Sequence, residues 1–233
     1  MFDQVRIINL VDRPDRRREM SEQLMLLGGM ADNISFFDAH RPDGPASFPS
    51  VGARGCFESH LSVLKAARDA EAQTLLILED DLDFARNGAQ RFKAALDQLQ
   101  HESWSFFYGA HILMPNARRG LVQISSEEPV MTASCVGFRG RAIDELVAFL
   151  EALMLRPAGS PDYGPMHVDG AYTVFRALNS SHLTFAAFPT LGRQRSSPSD
   201  ITPSQMLLDR WSTTKRLAAI LRRAYNRLRR FSV

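Results

Sequence analysis

Four acidic residues follow a run of aliphatic residues, and their types and spacing suit a metal or phosphate site. Residues 75–78 are Leu-Leu-Ile-Leu, which predicts a buried strand, and Glu79, Asp80, Asp81 and Asp83 come directly after it. Open α/β sheets bind ligands at the carboxyl ends of their strands. Adjacent carboxylates repel one another unless a cation lies between them, and Mg²⁺ or Mn²⁺ with a diphosphate commonly occupies such oxygen sites. The alternative is a solvated acidic turn.

The elements that must position these acids are predicted from hydrophobic periodicity and turn residues. Strands are predicted for residues 5–10, 34–37, 75–78, 105–108, 121–124, 131–136 and 184–188, and helices for residues 14–27, 56–72, 88–100, 143–156 and 168–178. Residues 38–52 and 157–165 are predicted as long loops, and residues 189–203 as irregular. This order predicts an α/β fold whose central sheet is mostly parallel, with an antiparallel addition and flanking helices.

Length and composition fit one sizeable domain. The chain has 233 residues, 45% hydrophobic and 23% charged, which is ordinary for a globular protein and unlike a disordered one. No signal peptide and no run of about 18 apolar residues is visible, so we expect a cytoplasmic location. Cys56 and Cys135 show no C-x-x-C or Cys/His ligand spacing. We therefore expect two small buried thiols and neither a disulfide framework nor a structural zinc site.

The C-terminal segment differs in charge from the rest of the chain. Residues 210–233 carry eight arginines and lysines and no acid, whereas the net charge of the chain is only +2. Leu217, Leu221, Leu228 and Phe231 recur at helical spacing, which predicts a basic amphipathic helix within residues 206–233. Such a helix suits an anionic membrane surface, here the inner face of the cytoplasmic membrane, or docking on the body or a partner. Nucleic acid is not expected, because no aromatic-rich basic groove accompanies it.

Four sequence segments occur in an order that is more specific than any one of them. They are Asn9-Leu10 with Arg-Pro-Asp-Arg-Arg at 13–17, Gly-Cys-Phe-Glu-Ser-His at 55–60, Glu-Asp-Asp at 79–81, and Pro-Thr-Leu at 189–191 with Gln194 and Ser-Asp-Ile at 199–201. In this order they resemble glycosyltransferase family 25, the group of bacterial lipooligosaccharide and animal procollagen galactosyltransferases. The resemblance extends from residue 5 to about residue 201.

The resemblance implies a fold of the GT-A type in residues 1–205 and transfer of a hexose with inversion at the anomeric carbon. The implied donor is a UDP-sugar, most commonly UDP-galactose. The implied acceptor is a saccharide or lipid-linked saccharide, in lipopolysaccharide, lipooligosaccharide or other cell-surface glycan synthesis. Two departures bear on the acceptor: Ala53 stands where the family usually has Glu, and Gly170-Ala171-Tyr172 replaces larger residues.

Sugar transfer requires that charge building on the departing diphosphate is stabilised, and Mn²⁺ or Mg²⁺ held by carboxylates does so without proton transfer. Asp81 and Glu79 are the predicted metal ligands, with Asp80 as the alternative to Glu79. Such an ion takes only one or two protein carboxylates when phosphates and water complete its shell. Asp80 and Asp83 are therefore assigned to the donor.

The other predicted donor-binding residues lie in the remaining segments. Arg13 and Arg16 carry guanidinium groups that suit a diphosphate or a base, with a solvated helix start as the alternative. Ser59 is expected in the first turn of a helix, where free backbone N–H groups favour anions. The resemblance adds three positions: Asn9, Gln194 and Asp200.

The predicted catalytic residues are Asp169 and His60. An inverting transferase needs a base within reach of the acceptor hydroxyl, and Asp169 follows a long loop and opens a helix. A helix N-cap explains an Asp there equally well. His60 is expected at the site, with a hydrogen-bonded structural histidine as the alternative.

Two rival functions remain at this level. Asp81-x-Asp83 after an aliphatic strand also resembles haloacid-dehalogenase-like phosphatases, with Asp81 as nucleophile and Asp83 as acid. That class uses a lysine, and neither Lys93 nor Lys215 is well placed. The other rival is a binding protein that kept the glycosyltransferase fold and lost catalysis.

Overall fold

The structure is a computed structural model that describes residues 2–26, 33–113 and 117–195. Within these ranges the chain forms nine strands and five helices. In chain order they are β1 Gln4–Asn9, α1 Pro14–Leu26, β2 Ile34–Asp38, α2 Val51–Asp69, β3 Thr74–Glu79, β4 Leu82–Phe84, α3 Gly88–Leu99, β5 Phe106–Ile112, β6 Gly120–Ile124, β7 Met131–Arg139, α4 Arg141–Met154, α5 Val168–Leu178, β8 Thr184–Phe188 and β9 Gly192–Gln194. Asp200 and the predicted helix within residues 206–233 lie outside the described residues.

Seven of the described strands form one sheet in the order β2-β1-β3-β7-β5-β8-β6. β1 pairs in parallel with β2 and β3, and β5 pairs in parallel with β8, whereas β7 and β6 pair antiparallel with their neighbours. Five of the seven strands therefore run in one direction. The predicted α/β fold with a mostly parallel sheet is confirmed.

Two apolar layers hold the helices against the sheet. In one layer, Phe57 and Leu64 of α2 and Leu146 of α4 are fully buried. In the other layer, Phe92 of α3 and Met20 of α1 are nearly or fully buried. Burying such side chains stabilises the fold by roughly 1.5–3 kcal/mol each. Because both faces of β3 are covered, its residues 75–78 can all be aliphatic, as the sequence predicted.

Helix α2 begins earlier than the sequence predicted. The predicted start was near Cys56, but the helix begins at Val51, because the Ser50 side chain caps it by accepting a hydrogen bond from the Ala53 N–H. Ser59 and His60 consequently lie in the middle of the helix. Their backbone N–H groups are used within the helix, so the expected first-turn anion site at Ser59 is wrong.

Strands β4 and β9 form a separate two-stranded antiparallel sheet, which the sequence did not predict. Leu82 pairs with Gln194, Asp83 with Arg193, and Phe84 with Gly192. β9 lies within the segment predicted as irregular. This pairing carries the chain after β8 back over the acids that follow β3.

The close approach of β4 and β9 depends on Gly192. A Cβ at this position would lie 2.6 Å from the Asp83 carbonyl oxygen, which is backbone and cannot rotate away. We predict that Gly192→Ala lowers the unfolding free energy by about 1–3 kcal/mol. Gly44→Ala, where nothing lies within 4 Å of the added Cβ, is the matched control. Urea unfolding would measure both, and equal stability of the two variants would contradict this account of the strand contact.

Candidate active site

Asp80 is held by two side chains at the carboxyl end of the sheet. The Asn9 Nδ2 group donates to Asp80 Oδ2 at 2.7 Å, and Arg16 Nη1 lies 3.2 Å from Asp80 Oδ1. Asn9 and Asp80 are both buried. Burial raises the pKa of Asp80, while the bonds to Asn9 and Arg16 oppose that rise. Asp80 thus ties the start of α1 to the end of β3, and its two oxygens are already engaged by the protein.

The two carboxylate oxygens of Asp81 differ in their hydrogen bonding. Gln194 Nε2 donates to Asp81 Oδ2 at 3.1 Å. Asp81 Oδ1 is buried and has no hydrogen-bond partner among the described residues. Burial, followed by the negative charge of Glu79, raises the pKa of Asp81 to about 7. A divalent cation at this carboxylate would supply the missing partner and offset the repulsion, so Asp81 and Glu79 fit the predicted ion.

A pocket of about 530 Å³ lies beside Asp81. Four guanidinium groups line it, from Arg13, Arg16, Arg193 and Arg195. Four carboxylates and one amide complete the lining, from Asp15, Glu19, Asp81, Asp83 and Gln194. The guanidinium groups match phosphate oxygens in charge and geometry, and the acids would repel phosphate unless cations intervene. The pocket therefore suits a diphosphate bound together with a divalent ion.

Arg195 connects the acids after β3 to the end of β9. Its backbone N–H donates to the Asp81 carbonyl at 2.7 Å, and its Nη2 donates to the Asp80 carbonyl at 3.0 Å. Its Nε lies 3.0 Å from Asp83 Oδ1, and a further ion pair joins it to Glu19. Arg195 was not predicted from the sequence. Its only sequence signal is its position directly after Gln194.

Asp169 lies at the start of α5 and bonds to the backbone of β7. Asp169 Oδ2 accepts from the Thr132 N–H at 3.0 Å, and Oδ1 accepts from the Gly170 N–H at 2.8 Å. Thr132 has a φ of 69°, in the left-handed region that a β-branched residue rarely adopts. Such backbone strain costs roughly 1–3 kcal/mol and occurs preferentially at functional sites. His167 is the N-cap residue, so the alternative of an N-cap at Asp169 is wrong.

Cys56, His60 and Glu79 form a second group on the α2 side of the acids. Each offers one ligand atom, and these atoms lie within 4.8 Å of one another. His60 Nδ1 lies 2.9 Å from the Tyr172 hydroxyl, and His60 Nε2 lies 3.6 Å from Glu79 Oε1. Burial, then the charges of Glu79 and Asp169, raises the pKa of the Cys56 thiol. The negative charges of Glu79 and Asp169 therefore both act on the Cys56 thiol.

Seven of the predicted residues line this pocket or hold its wall, whereas Glu79, His60, Asp169 and Ser59 do not line it. Asn9, Arg13, Arg16, Asp80, Asp81, Asp83 and Gln194 surround the pocket or hold its wall. Ser59 is fully buried, donates to the Gly55 carbonyl at 2.6 Å and accepts from the His40 N–H at 2.8 Å. Its hydroxyl therefore fastens the loop after β2 to α2 and does not face the pocket.

Comparison with known families places this site in context. Residues 2–130, more than half of the chain, match the family described as glycosyltransferase family 25 (LPS biosynthesis protein). The chain belongs to glycosyltransferase family 25. The matched residues contain β1 to β6 and therefore the acids after residue 78, Asn9, Arg13, Arg16, Cys56 and His60.

A curated relative and a solved structure resemble this family 25 chain. Procollagen galactosyltransferase 2 of Homo sapiens is 30% identical over 127 residues, which are 46% of this chain and 20% of that protein. The chain therefore spans only about a fifth of that relative. The crystal structure of a glycosyltransferase involved in glycosylation of the major capsid of PBCV-1 matches with a TM-score of 0.53 at 11% identity. The match covers 84% of the present chain and 94% of the chain in that crystal structure, and it supports a fold of the GT-A type.

Within residues 2–26, 33–113 and 117–195, no helix combines the length and apolar character needed to cross a bilayer.

The pKa of Asp81 generates a prediction for the metal-free protein. The pKa of Asp81 is about 7 in the folded protein and 3.8 as its ordinary value, so the folded state binds more protons between these pH values. The unfolding free energy should therefore fall as pH rises through this range, by at most about 4 kcal/mol. Asp81→Asn should unfold like wild type below about pH 3.8 and should be more stable than wild type at pH 8, because the neutral amide avoids both the burial of a charge and the repulsion from Glu79.

Urea unfolding in the presence of a chelator would measure this difference. Asp97→Asn is the matched control, because Asp97 pairs with Lys93 on α3, away from the pocket. The control should follow the wild-type pH profile. If Asp81→Asn also keeps the wild-type pH profile, ionisation of Asp81 beside Glu79 does not lower the unfolding free energy, which would contradict this prediction.

Proposed function

We propose that this chain is an inverting glycosyltransferase that moves a hexose, namely galactose, from a UDP-sugar to a hydroxyl group of a saccharide acceptor. Family membership supports the reaction class. The name of the human relative supports galactose as the sugar. The family description supports lipopolysaccharide synthesis, or synthesis of another cell-surface glycan, as the setting.

The observation that carries the proposal is the state of Asp81. Its Oδ1 is buried without a hydrogen-bond partner in the described part of the chain, and it borders a pocket with four guanidinium groups. A buried carboxylate oxygen left without a partner is costly unless a ligand completes it. A cation and a diphosphate together would satisfy both the acids and the arginines.

Glu79 and Asp81 are the residues that would hold Mn²⁺ or Mg²⁺. When bound, such an ion stabilises negative charge on the departing diphosphate. The protein supplies the rest of the charge balance, because Arg13 and Arg16 line the same pocket and can donate to phosphate oxygens. Asp80 and Asn9 act indirectly, since their hydrogen bond fixes the positions of α1 and β3.

Two further residues are assigned to the sugar end of the donor. Asp83 lines the pocket from β4, where its carboxylate can accept hydrogen bonds from sugar hydroxyls. Gln194 lines the pocket from β9 and already holds Asp81 Oδ2. The predicted role of Asp200 stays a prediction, because Asp200 lies outside the described residues.

Asp169 is the proposed general base. In the reaction the acceptor oxygen bonds to the anomeric carbon, the bond from that carbon to the diphosphate oxygen breaks, and UDP leaves with the electron pair. The acceptor hydroxyl proton passes to the Asp169 carboxylate. The bonds from Thr132 and Gly170 orient this carboxylate, and the Asp169 charge is felt at Cys56 beside Glu79. His60 is buried and bonded to Tyr172, so it is assigned to shaping the site and not to proton transfer.

The proposal extends to the acceptor and to the location of the protein. A lipid-linked saccharide acceptor would agree with a basic helix that binds an anionic membrane surface. That helix falls within residues 206–233, which lie outside the described residues, so membrane association stays a prediction.

The phosphohydrolase alternative has little support in the structure. It requires a lysine near Asp81, yet Lys93 pairs with Asp97 on α3 and Lys65 pairs with Glu151. Among the described residues the cations that line the pocket are arginines. The inactive binding protein remains the rival that an activity measurement must separate.

The proposal predicts slow release of UDP from UDP-galactose by the purified chain with Mn²⁺ and no acceptor, because water then takes the acceptor's place. Asp169→Asn should lower this rate by about 10²–10⁴-fold, since the base is lost. The same variant should keep the rise in melting temperature that UDP and Mn²⁺ cause, because Asp169 does not contact the donor phosphates in this account. Asp162→Asn, an exposed acid in the preceding loop, is the matched control and should match wild type.

Three outcomes would contradict the proposal. A melting temperature raised only by GDP- or CMP-sugars would overturn the donor class. Donor binding without any UDP release in wild type, with or without saccharide acceptors, would favour the binding protein. An Asp169→Asn rate equal to wild type would remove Asp169 as the base.

A further inference from the structure

The group of Cys56, His60 and Glu79 has the composition of a transition-metal site. A thiolate, an imidazole and a carboxylate together are ligands of Zn²⁺, whereas Mg²⁺ favours oxygen ligands alone. Cys56 and His60 are four residues apart on α2, so they project from the same face of the helix. Glu79 comes from the end of β3 and completes the group from the sheet.

The distances agree with one ion held between the three side chains. With bond lengths of about 2.3 Å to sulfur and about 2.0 Å to nitrogen and oxygen, tetrahedral geometry places sulfur and oxygen about 3.5 Å apart and nitrogen and oxygen about 3.3 Å apart. Cys56 Sγ lies 3.7 Å from Glu79 Oε1, and His60 Nε2 lies 3.6 Å from the same oxygen. A shift of a few tenths of an ångström would therefore bring these two edges to tetrahedral length, and all three ligand atoms lie within 4.8 Å of one another.

His60 Nε2 is the independent sign that a ligand is missing. The His60 side chain is 0% exposed, and its Nε2 has no hydrogen-bond partner in the part of the chain that the structure describes. The distance of 3.6 Å to Glu79 is too long for a hydrogen bond. A buried polar atom without a partner is rare in folded proteins. Nε2 nevertheless points at a thiol and a carboxylate, which are metal ligands.

Tyr172 orients the imidazole of His60. In metal-binding histidines, the ring nitrogen that does not bind the metal usually has such a hydrogen-bond partner. The Tyr172 hydroxyl lies 2.9 Å from His60 Nδ1, and burial raises the pKa of Tyr172, so the hydroxyl stays neutral. When Nδ1 carries the ring proton, the Nδ1–H group donates a hydrogen bond to the Tyr172 hydroxyl oxygen. The lone pair of Nε2 then faces Glu79. Cys56 as a residue is of intermediate burial, whereas the His60 side chain is fully buried.

We propose that Cys56, His60 and Glu79 bind a divalent transition metal of the Zn²⁺ class, at a site separate from the Mn²⁺ or Mg²⁺ site assigned to Asp81 and the pocket. The Cys56 thiol loses its proton to solvent when the ion binds, and the ion takes over the charge balance of the group. With three protein ligands, the fourth tetrahedral position stays open to water or a ligand. The inference does not depend on glycosyl transfer, although Glu79 contributes to both groups.

Cobalt is the probe that reports on this site directly, because Co²⁺ replaces Zn²⁺ and gives intense visible bands in tetrahedral geometry and a thiolate charge-transfer band in the near ultraviolet. The full chain without a histidine tag should bind one Co²⁺ with both features, and one equivalent of Zn²⁺ should remove them. The chain has only two cysteines, so Cys56→Ser should abolish the charge-transfer band and Cys135→Ala, the matched control, should retain it. His60→Gln should weaken cobalt binding at least tenfold.

Asp81→Asn separates this proposal from the proposed function. It should keep the cobalt spectrum, although it removes the carboxylate assigned to the diphosphate-bound ion. Far-ultraviolet circular dichroism confirms that each variant is folded, and His60→Gln carries the test if Cys56→Ser does not fold. A wild-type chain without a charge-transfer band would overturn the proposal, as would a band that survives in Cys56→Ser or disappears in Cys135→Ala.

Discussion

The fold must accommodate three consecutive carboxylates at the end of a buried strand. Glu79 is the last residue of β3, and Asp80 and Asp81 follow it. Residues 75–78 of this strand are buried, so the position of the three acids is fixed at the end of the sheet. Each carboxylate has a different neighbourhood. Asp80 is bonded to Asn9 and Arg16, Asp81 is left with an oxygen without a partner among the described residues, and Glu79 faces Cys56 and His60. Burial, and then the negative charge of Glu79, raises the pKa of Asp81.

Neighbouring residues of the Glu79-Asp80-Asp81 tripeptide have different tasks: Asp80 holds the structure together, and Asp81 lines the pocket. Asp80 joins α1 to the sheet through its contact with Arg16, and Arg16 and Arg13, which directly precedes α1, both line the pocket. Asp81 and Asp83 face that pocket, and the β4 and β9 pair covers them with Gln194 and Arg195. The same sheet edge therefore presents acids that fit a cation and guanidinium groups that fit a diphosphate. This is the combination that a transferase using a nucleotide-sugar donor requires.

The sequence was informative where a long pattern specified an element. The aliphatic run before Glu79 predicted both the buried strand and the placement of the acids at its carboxyl end. The start of α5 next to Asp169 was also predicted from its hydrophobic spacing. Helix α2 was predicted to begin too late, because its first turn, Val51-Gly52-Ala53, shows no apolar period and the cap comes from Ser50. That error placed Ser59 wrongly.

Long-range contacts were beyond sequence reasoning. β4 and β9 have three residues each, too few for an alternating pattern, and their pairing joins positions more than a hundred residues apart. The strained backbone of Thr132 behind Asp169 has no signal in residue types. Cys56 and His60 are four residues apart, yet no Cys/His ligand spacing was predicted from the sequence. Glu79 joins them only in three dimensions.

Crystals grown with Mn²⁺ and UDP would test the central claim, because anomalous scattering locates manganese independently of the protein density. The account predicts a manganese peak within about 2.3 Å of Asp81 Oδ1, with diphosphate oxygens of UDP among its other ligands. A difference map with UDP bound elsewhere, or with Asp81 Oδ1 hydrogen-bonded to protein and no manganese beside it, would contradict the account.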